Sequence, residues 1–132
     1  MTKLVLIVDD CSSSRQAVSF LLKEMGCRPI EACDGNEALV ELEKNRVHLI
    51  VSDLYMPNMD GIAFAREVRK RPTSKFTPII MLTTEVREAK KQEGRSAGVT
   101  AWVVKPFDSS ELADLVSKLV MLPRQTEGAS GA

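Results

Sequence analysis

Five residues in this chain could do chemistry, and all stand where a short apolar run ends. Asp9 and Asp10 follow Leu4-Val5-Leu6-Ile7-Val8, Asp53 follows Leu49-Ile50-Val51-Ser52, Thr83 follows Ile79-Ile80-Met81-Leu82, and Lys105 follows Trp102-Val103-Val104. Short runs rich in Val and Ile, separated by helix-length stretches, read as parallel strands buried on both faces. Parallel strands deliver their carboxyl ends to one edge of the sheet, where open α/β sheets bind ligands. Three carboxylates, a hydroxyl and an ammonium are therefore expected in one cleft. Such a cluster of acids calls for a cation to offset its like charges. Each residue alone has a plainer use: Asp10 as a helix cap, Asp53 or Thr83 as loop ends, Lys105 as a surface charge.

The elements that must carry these residues alternate five times. Ala17, Val18, Leu21, Leu22 and Met25 mark the apolar face of a first helix, which Gly26 stops. Arg28 to Ala32 reads as an edge strand because its Pro29 has no N–H to donate. Asp34 with Glu37 caps a second helix with an apolar face of Ala38, Leu39 and Leu42. Pro57 and Gly61 lie in a loop that leads into a third helix bearing Ile62, Ala65 and Val68. Asp108 with Glu111 caps the last, whose stripe is Leu112, Leu115, Val116, Leu119 and Val120. The fourth helix, expected over Glu85 to Ala97, is highly charged, contains Gly94 and has Val86 as its one large apolar residue. It reads either as a solvated surface helix or as a loosely docked, movable one. The pattern is a doubly wound α/β fold with helices on both faces of a parallel sheet.

Composition bounds the rest. The 132 residues suffice for one domain, with 44% hydrophobic residues for its core. Residues 1–122 are expected to form it, followed by a short flexible tail from Pro123 to Ala132. Acidic and basic residues balance at 18 each, which gives no electrostatic case for nucleic acid or a membrane surface. No signal peptide is seen, and no apolar run approaches the ~20 residues of a membrane span, so a cytoplasmic location is expected. Cys11, Cys27 and Cys33 have no metal-ligand spacing and read as reduced thiols packed as small hydrophobes. The acids beside Cys11 are expected to raise its thiol pKa.

Asp9-Asp10, Asp53 with Met56-Pro57 and Gly61 behind it, Thr83, and Lys105-Pro106-Phe107 occur in this order, each group at or just past a strand end. From about Lys3 to Leu122 the chain resembles the receiver domain of bacterial response regulators, in the single-domain, chemotaxis-regulator-like form. The resemblance implies a flavodoxin-like five-stranded parallel sheet in the order 2-1-3-4-5. It implies a module of a two-component phosphorelay, in which Asp53 takes a phosphoryl group from a phosphohistidine on a partner histidine kinase or phosphotransfer protein. Mg²⁺ would be held by Asp10 and Asp53 directly, by Asp9 through water and by the backbone carbonyl of Tyr55, a pattern suited to that ion. Lys105 and the Thr83 hydroxyl would take the remaining phosphoryl oxygens, and Lys105–Pro106 would be cis. Catalysis would be limited to the domain's own phosphorylation and dephosphorylation. Output would be protein–protein contact through the fourth helix, fifth strand and fifth helix, with no DNA bound directly.

Trp102 stands where the family carries a switch aromatic, usually Tyr or Phe. It either turns inward with Thr83 or simply covers the sheet edge, and its N–H needs a partner when buried. Thr84, Tyr55 and Glu85 flank the site and bear on how long a phosphoryl group would last. His48, the only histidine, reads as a core or rim residue, and Arg66, Arg69, Lys70 and Arg71 as a solvated face. Two other functions stay open: an aspartyl-phosphate hydrolase of the haloacid-dehalogenase type, and a receiver-shaped scaffold that works without phosphorylation. The first wants an acid two residues beyond its nucleophile, where this chain has Tyr55.

Overall fold

In the computed structural model, which describes residues 2–121, strands and helices alternate without exception. They are β1 (Leu4–Val8), α1 (Ser12–Glu24), β2 (Arg28–Ala32), α2 (Gly35–Lys44), β3 (Leu49–Ser52), α3 (Gly61–Lys70), β4 (Ile79–Thr83), α4 (Glu88–Ala97), β5 (Ala101–Val104) and α5 (Ser109–Met121). All strand pairs are parallel and the sheet order is β2-β1-β3-β4-β5. The expected tail from Pro123 to Ala132 lies outside the described residues.

Alternation along the strands splits the core into two layers, because successive side chains point to opposite faces. Leu6, Val8, Ile50, Ile79 and Met81 pack with Ala38, Leu42, Ile62, Ala65, Val68 and Ala97 from α2, α3 and α4. Val5, Ile7, Leu49, Val51, Ile80 and Leu82 pack with Val18, Leu22, Leu112, Val116 and Leu119 from α1 and α5. Burial on both faces is the reason the central strands β1, β3 and β4 are apolar up to Ser52 and Thr83 at the ends of β3 and β4.

Caps form where the sequence places them. Asp34 and Asp108 accept from the N–H groups of Glu37 and Glu111 at 2.8 and 3.0 Å, and Asp60 caps α3 in the same manner through Ala63. The Glu37 carboxylate reaches back to the Cys33 N–H at 2.8 Å. Gly26, at φ +84°, follows the end of α1 in the left-handed conformation that glycine adopts freely.

Several expectations need correction. On α1, Ala17 is exposed and Ser19 is buried instead, so the apolar face is narrower than its sequence stripe. Helix α4 begins at Glu88, and Val86 lies before it, 61% exposed. Cys11 and Cys33 are exposed rather than packed, and Cys27 is half-buried. Arg69 does not belong to a solvated face. Its half-buried guanidinium donates to the carbonyls of Ser74, Thr77 and Gly98, tying the end of α4 to the loop after α3.

Candidate functional site

The register of the sheet brings the ends of β1, β3, β4 and β5 to one edge, with Val8 opposite Ser52 and Thr83 opposite Val104. The main chain there is fixed before any side chain is considered. The N–H of Asp53 donates to Val8 at 2.8 Å, that of Asp9 to Ala32 at 3.1 Å and that of Lys105 to Thr83 at 2.8 Å. Gly61 passes so close behind β3 that a Cβ would sit 2.3 Å from the Asp53 carbonyl oxygen. Only glycine permits that approach.

Asp9, Asp10 and Asp53 converge on this edge, with one carboxylate oxygen of each within 4.8 Å of the others. Lys105 lies across two of them, its Nζ 2.9 Å from Asp9 Oδ2 and 3.2 Å from Asp53 Oδ2. Burial works against its ammonium, but the hydrogen bond to Asp9 and the charges of both carboxylates outweigh this and raise its pKa. The remaining oxygens of the two acids accept backbone N–H groups, Asp9 Oδ1 from Cys11 at 2.9 Å and Asp53 Oδ1 from Leu54 at 2.7 Å. Asp10 is exposed, and its carboxylate has no hydrogen-bond or ion-pair partner among the described residues. Three oxygen donors of which one carries no counter-charge suit a hard divalent cation. The Lys105–Pro106 peptide bond is cis.

Glu85 joins this edge to the surface beyond it. Its N–H donates to Thr83 Oγ1 at 3.3 Å, and its carbonyl accepts the indole N–H of Trp102 at 2.9 Å. Its carboxylate is buried, accepts from the Tyr55 hydroxyl and is gripped by Arg87 Nε and Nη2 at 3.0 and 2.8 Å. Arg87 first, then Tyr55 and the Arg87 N–H, hold the Glu85 carboxyl well below the usual carboxylate range. Thr83 is fully buried and Thr84 exposed. Trp102 is half-buried, with its six-membered ring lying over Gly94 of α4.

The response regulator receiver domain model matches residues 5–117. This chain belongs to the response regulator receiver family. It is 37% identical to the chemotaxis protein CheY of Pseudomonas aeruginosa over 116 residues, 87% of this chain and 94% of that protein. The structure of CheY4 from Vibrio cholerae superposes with a TM-score of 0.87 at 44% identity, over 90% of this chain and 99% of that one. The receiver domain of the sensor histidine kinase PA1611 from P. aeruginosa is 26% identical, with a TM-score of 0.84 over 91% of this chain and 98% of its own. Its structure holds a magnesium ion coordinated in the active-site cleft. Receiver domains bind Mg²⁺ at their acidic site and serve as modules of two-component signalling. The hydrolase alternative is not favoured. No helix of the receiver's described residues is long and apolar enough to cross a membrane.

In this receiver the structure gathers Asp9, Asp10, Asp53 and Lys105, and sets Thr83, Glu85, Tyr55 and Trp102 in one connected chain beside them. His48 stays apart, near the far end of β1, where its Nδ1 accepts the Leu4 N–H at 3.1 Å. The Cys11 thiol departs from expectation. Hydrogen bonds with the Ser13 hydroxyl and the Ser14 N–H outweigh the charge of Asp9 and lower its pKa. Arg15 and Arg87 also border the site, although neither belongs to a motif in the sequence. Arg87 lies two residues beyond Glu85, a spacing that gave the one available hint.

Proposed function

We propose that this receiver accepts a phosphoryl group on Asp53 from a phosphohistidine of a partner kinase or phosphotransfer protein and signals through protein contacts. The observation that carries this reading is the placement of Asp53 Oδ2 beside the Lys105 ammonium, within a triad of carboxylates that includes Asp9 and Asp10.

Asp10 and Asp53 are the direct ligands we assign to Mg²⁺, with Asp9 acting through water and the Tyr55 carbonyl completing the protein's share. When bound, the ion would supply charge neutralisation for the phosphoryl oxygens. Asp53 acts as the nucleophile: one carboxylate oxygen bonds to phosphorus as the histidine nitrogen leaves. Lys105 and Thr83 then donate hydrogen bonds to the phosphoryl oxygens, and the movement of the Thr83 hydroxyl toward them lengthens the contact it accepts from the Glu85 N–H. Glu85 also holds Trp102, and the change at Thr83 is thereby relayed to the face of α4, β5 and α5. Grooves flank β5 on that face, one of about 120 Å³ against Lys91 and Arg95 and one of about 460 Å³ against Phe107 and Leu115. Pro106, Thr84 and Tyr55 border the route to Asp53. The three thiols are free, in keeping with a cytoplasmic location.

The test is phosphotransfer from a panel of labelled histidine kinases to the purified chain. Transfer that requires Mg²⁺ and vanishes in Asp53→Asn supports the reading. Transfer that survives either change overturns it.

A further inference from the structure

The peptide unit between Asp9 and Asp10 is held by a residue outside the acid cluster. Arg15, in the first turns of α1, points back over the end of β1, and its Nη1 donates to the Asp9 carbonyl oxygen at 2.7 Å. Its Nε donates to Glu31 of β2 at 3.0 Å, so one guanidinium spans α1, β1 and β2. The Arg15 side chain is 19% exposed.

Asp9 itself needs no such help. Its N–H is bonded to Ala32, and its two carboxylate oxygens to Cys11 and Lys105. Asp10 has nothing of the kind, and its carboxylate is free to point wherever its backbone sends it. A peptide group is a rigid plane, so fixing the carbonyl of Asp9 also fixes the N–H and Cα of Asp10. We infer that Arg15 is a positioning residue of the acidic site, holding the Asp9–Asp10 peptide plane so that the Asp10 carboxylate faces those of Asp9 and Asp53. The inference rests on the reading of those acids as the Mg²⁺ site.

Two roles for Arg15 differ in the sign of their effect. Removing a positive charge near a cation site strengthens cation binding, whereas losing the alignment of a ligand weakens it. Outer-shell partners of metal ligands are commonly worth 10–100-fold in affinity. A purely structural tie moves the melting temperature equally with and without Mg²⁺. The ion pair with half-exposed Glu31 accounts for little in itself.

The experiment is a calorimetric Mg²⁺ titration of the full chain and of Arg15→Ala and Arg15→Lys. Arg15→Ala is expected to bind Mg²⁺ about tenfold more weakly, and Arg15→Lys, with one donor left for the carbonyl, to recover to within about threefold of the parent. An unchanged or tighter affinity in Arg15→Ala overturns the inference. Should Arg15→Ala not fold, Arg15→Met takes its place, because it keeps the aliphatic stem and removes the donors: weaker binding than the parent supports the role, and parental or tighter affinity overturns it. Absence of Mg²⁺ binding by the parent chain strikes the reading of the whole site. Parental binding with indifferent variants strikes only the role of Arg15.

Discussion

The indole N–H of Trp102 donates to the main-chain carbonyl of Glu85 at 2.9 Å, and the Glu85 N–H is in turn bonded to the Thr83 hydroxyl. One residue thus stands between the proposed phosphoryl-binding hydroxyl and the only tryptophan. Adding beryllofluoride, a phosphoryl mimic, together with Mg²⁺ is expected to shift Trp102 emission. The shift is expected to disappear in Thr83→Ala while Mg²⁺ still binds. Unchanged emission, with unchanged hydrogen exchange over residues 85–97, would mean that the signal leaves by another face.

The same indole explains a glycine in the middle of α4. A Cβ at Gly94 would lie 2.8 Å from Trp102 Cζ3. In an exposed helix Gly→Ala stabilises by about 1 kcal/mol. Here Gly94→Ala must move the ring, so that gain is expected to be absent in thermal melts and the emission to shift to the red. A full gain in stability with parental emission would show that the ring does not depend on Gly94.

Asp10 is the acid without a counter-charge, since Lys105 is bonded to Asp9 and Asp53 only. Asp10→Asn is therefore expected to raise the melting temperature of the metal-free protein by a few degrees, through loss of like-charge repulsion. It is also expected to remove the stabilisation that millimolar Mg²⁺ gives the parent by mass action. Differential scanning fluorimetry with and without Mg²⁺ measures both. A parental response to Mg²⁺ in this variant would remove Asp10 from the site.

Much of this arrangement is legible in the sequence because it is local. Val and Ile runs, the Asp34 and Asp108 caps and the stop at Gly26 act within a few residues, and each site residue directly follows its strand. What the sequence hides is carried by long-range bonds to main-chain carbonyls. Arg69 reaches Gly98, 29 positions away, and a carbonyl leaves no mark on residue type. The start of α4 at Glu88 is hidden for a related reason. Residues 85–87 spend their polar groups on Tyr55, Thr83 and Trp102, so the backbone stays extended at Arg87, with ψ 133°, and turns helical only at Glu88. At Cys11, hydrogen bonds with the neighbouring Ser13 and Ser14 prevail over the charge that the sequence makes obvious.

Glu85 supplies a pH dependence of definite sign. Its folded-state pKa lies below the ordinary Glu value of about 4.3 because Arg87 and Tyr55 favour the carboxylate. The stability it contributes is therefore present above that ordinary value and is lost as pH falls toward the folded pKa. Carboxyl-detected NMR titration is expected to find Glu85 ionised where exposed glutamates are half-protonated. Arg87→Ala and Tyr55→Phe should each bring it back toward them. An ordinary titration in the parent would contradict the clamp.

The central claim is that Asp53 carries the phosphoryl group. Its most direct test is to phosphorylate the chain with a small phosphoramidate donor and Mg²⁺, trap the acyl phosphate with borohydride and map the modified peptide by mass spectrometry. Reduction of Asp53 to homoserine is expected, dependent on Mg²⁺ and absent from Asp53→Asn. Modification at Asp9 or Asp10 instead, or an unmodified chain that still engages its partners, would contradict it.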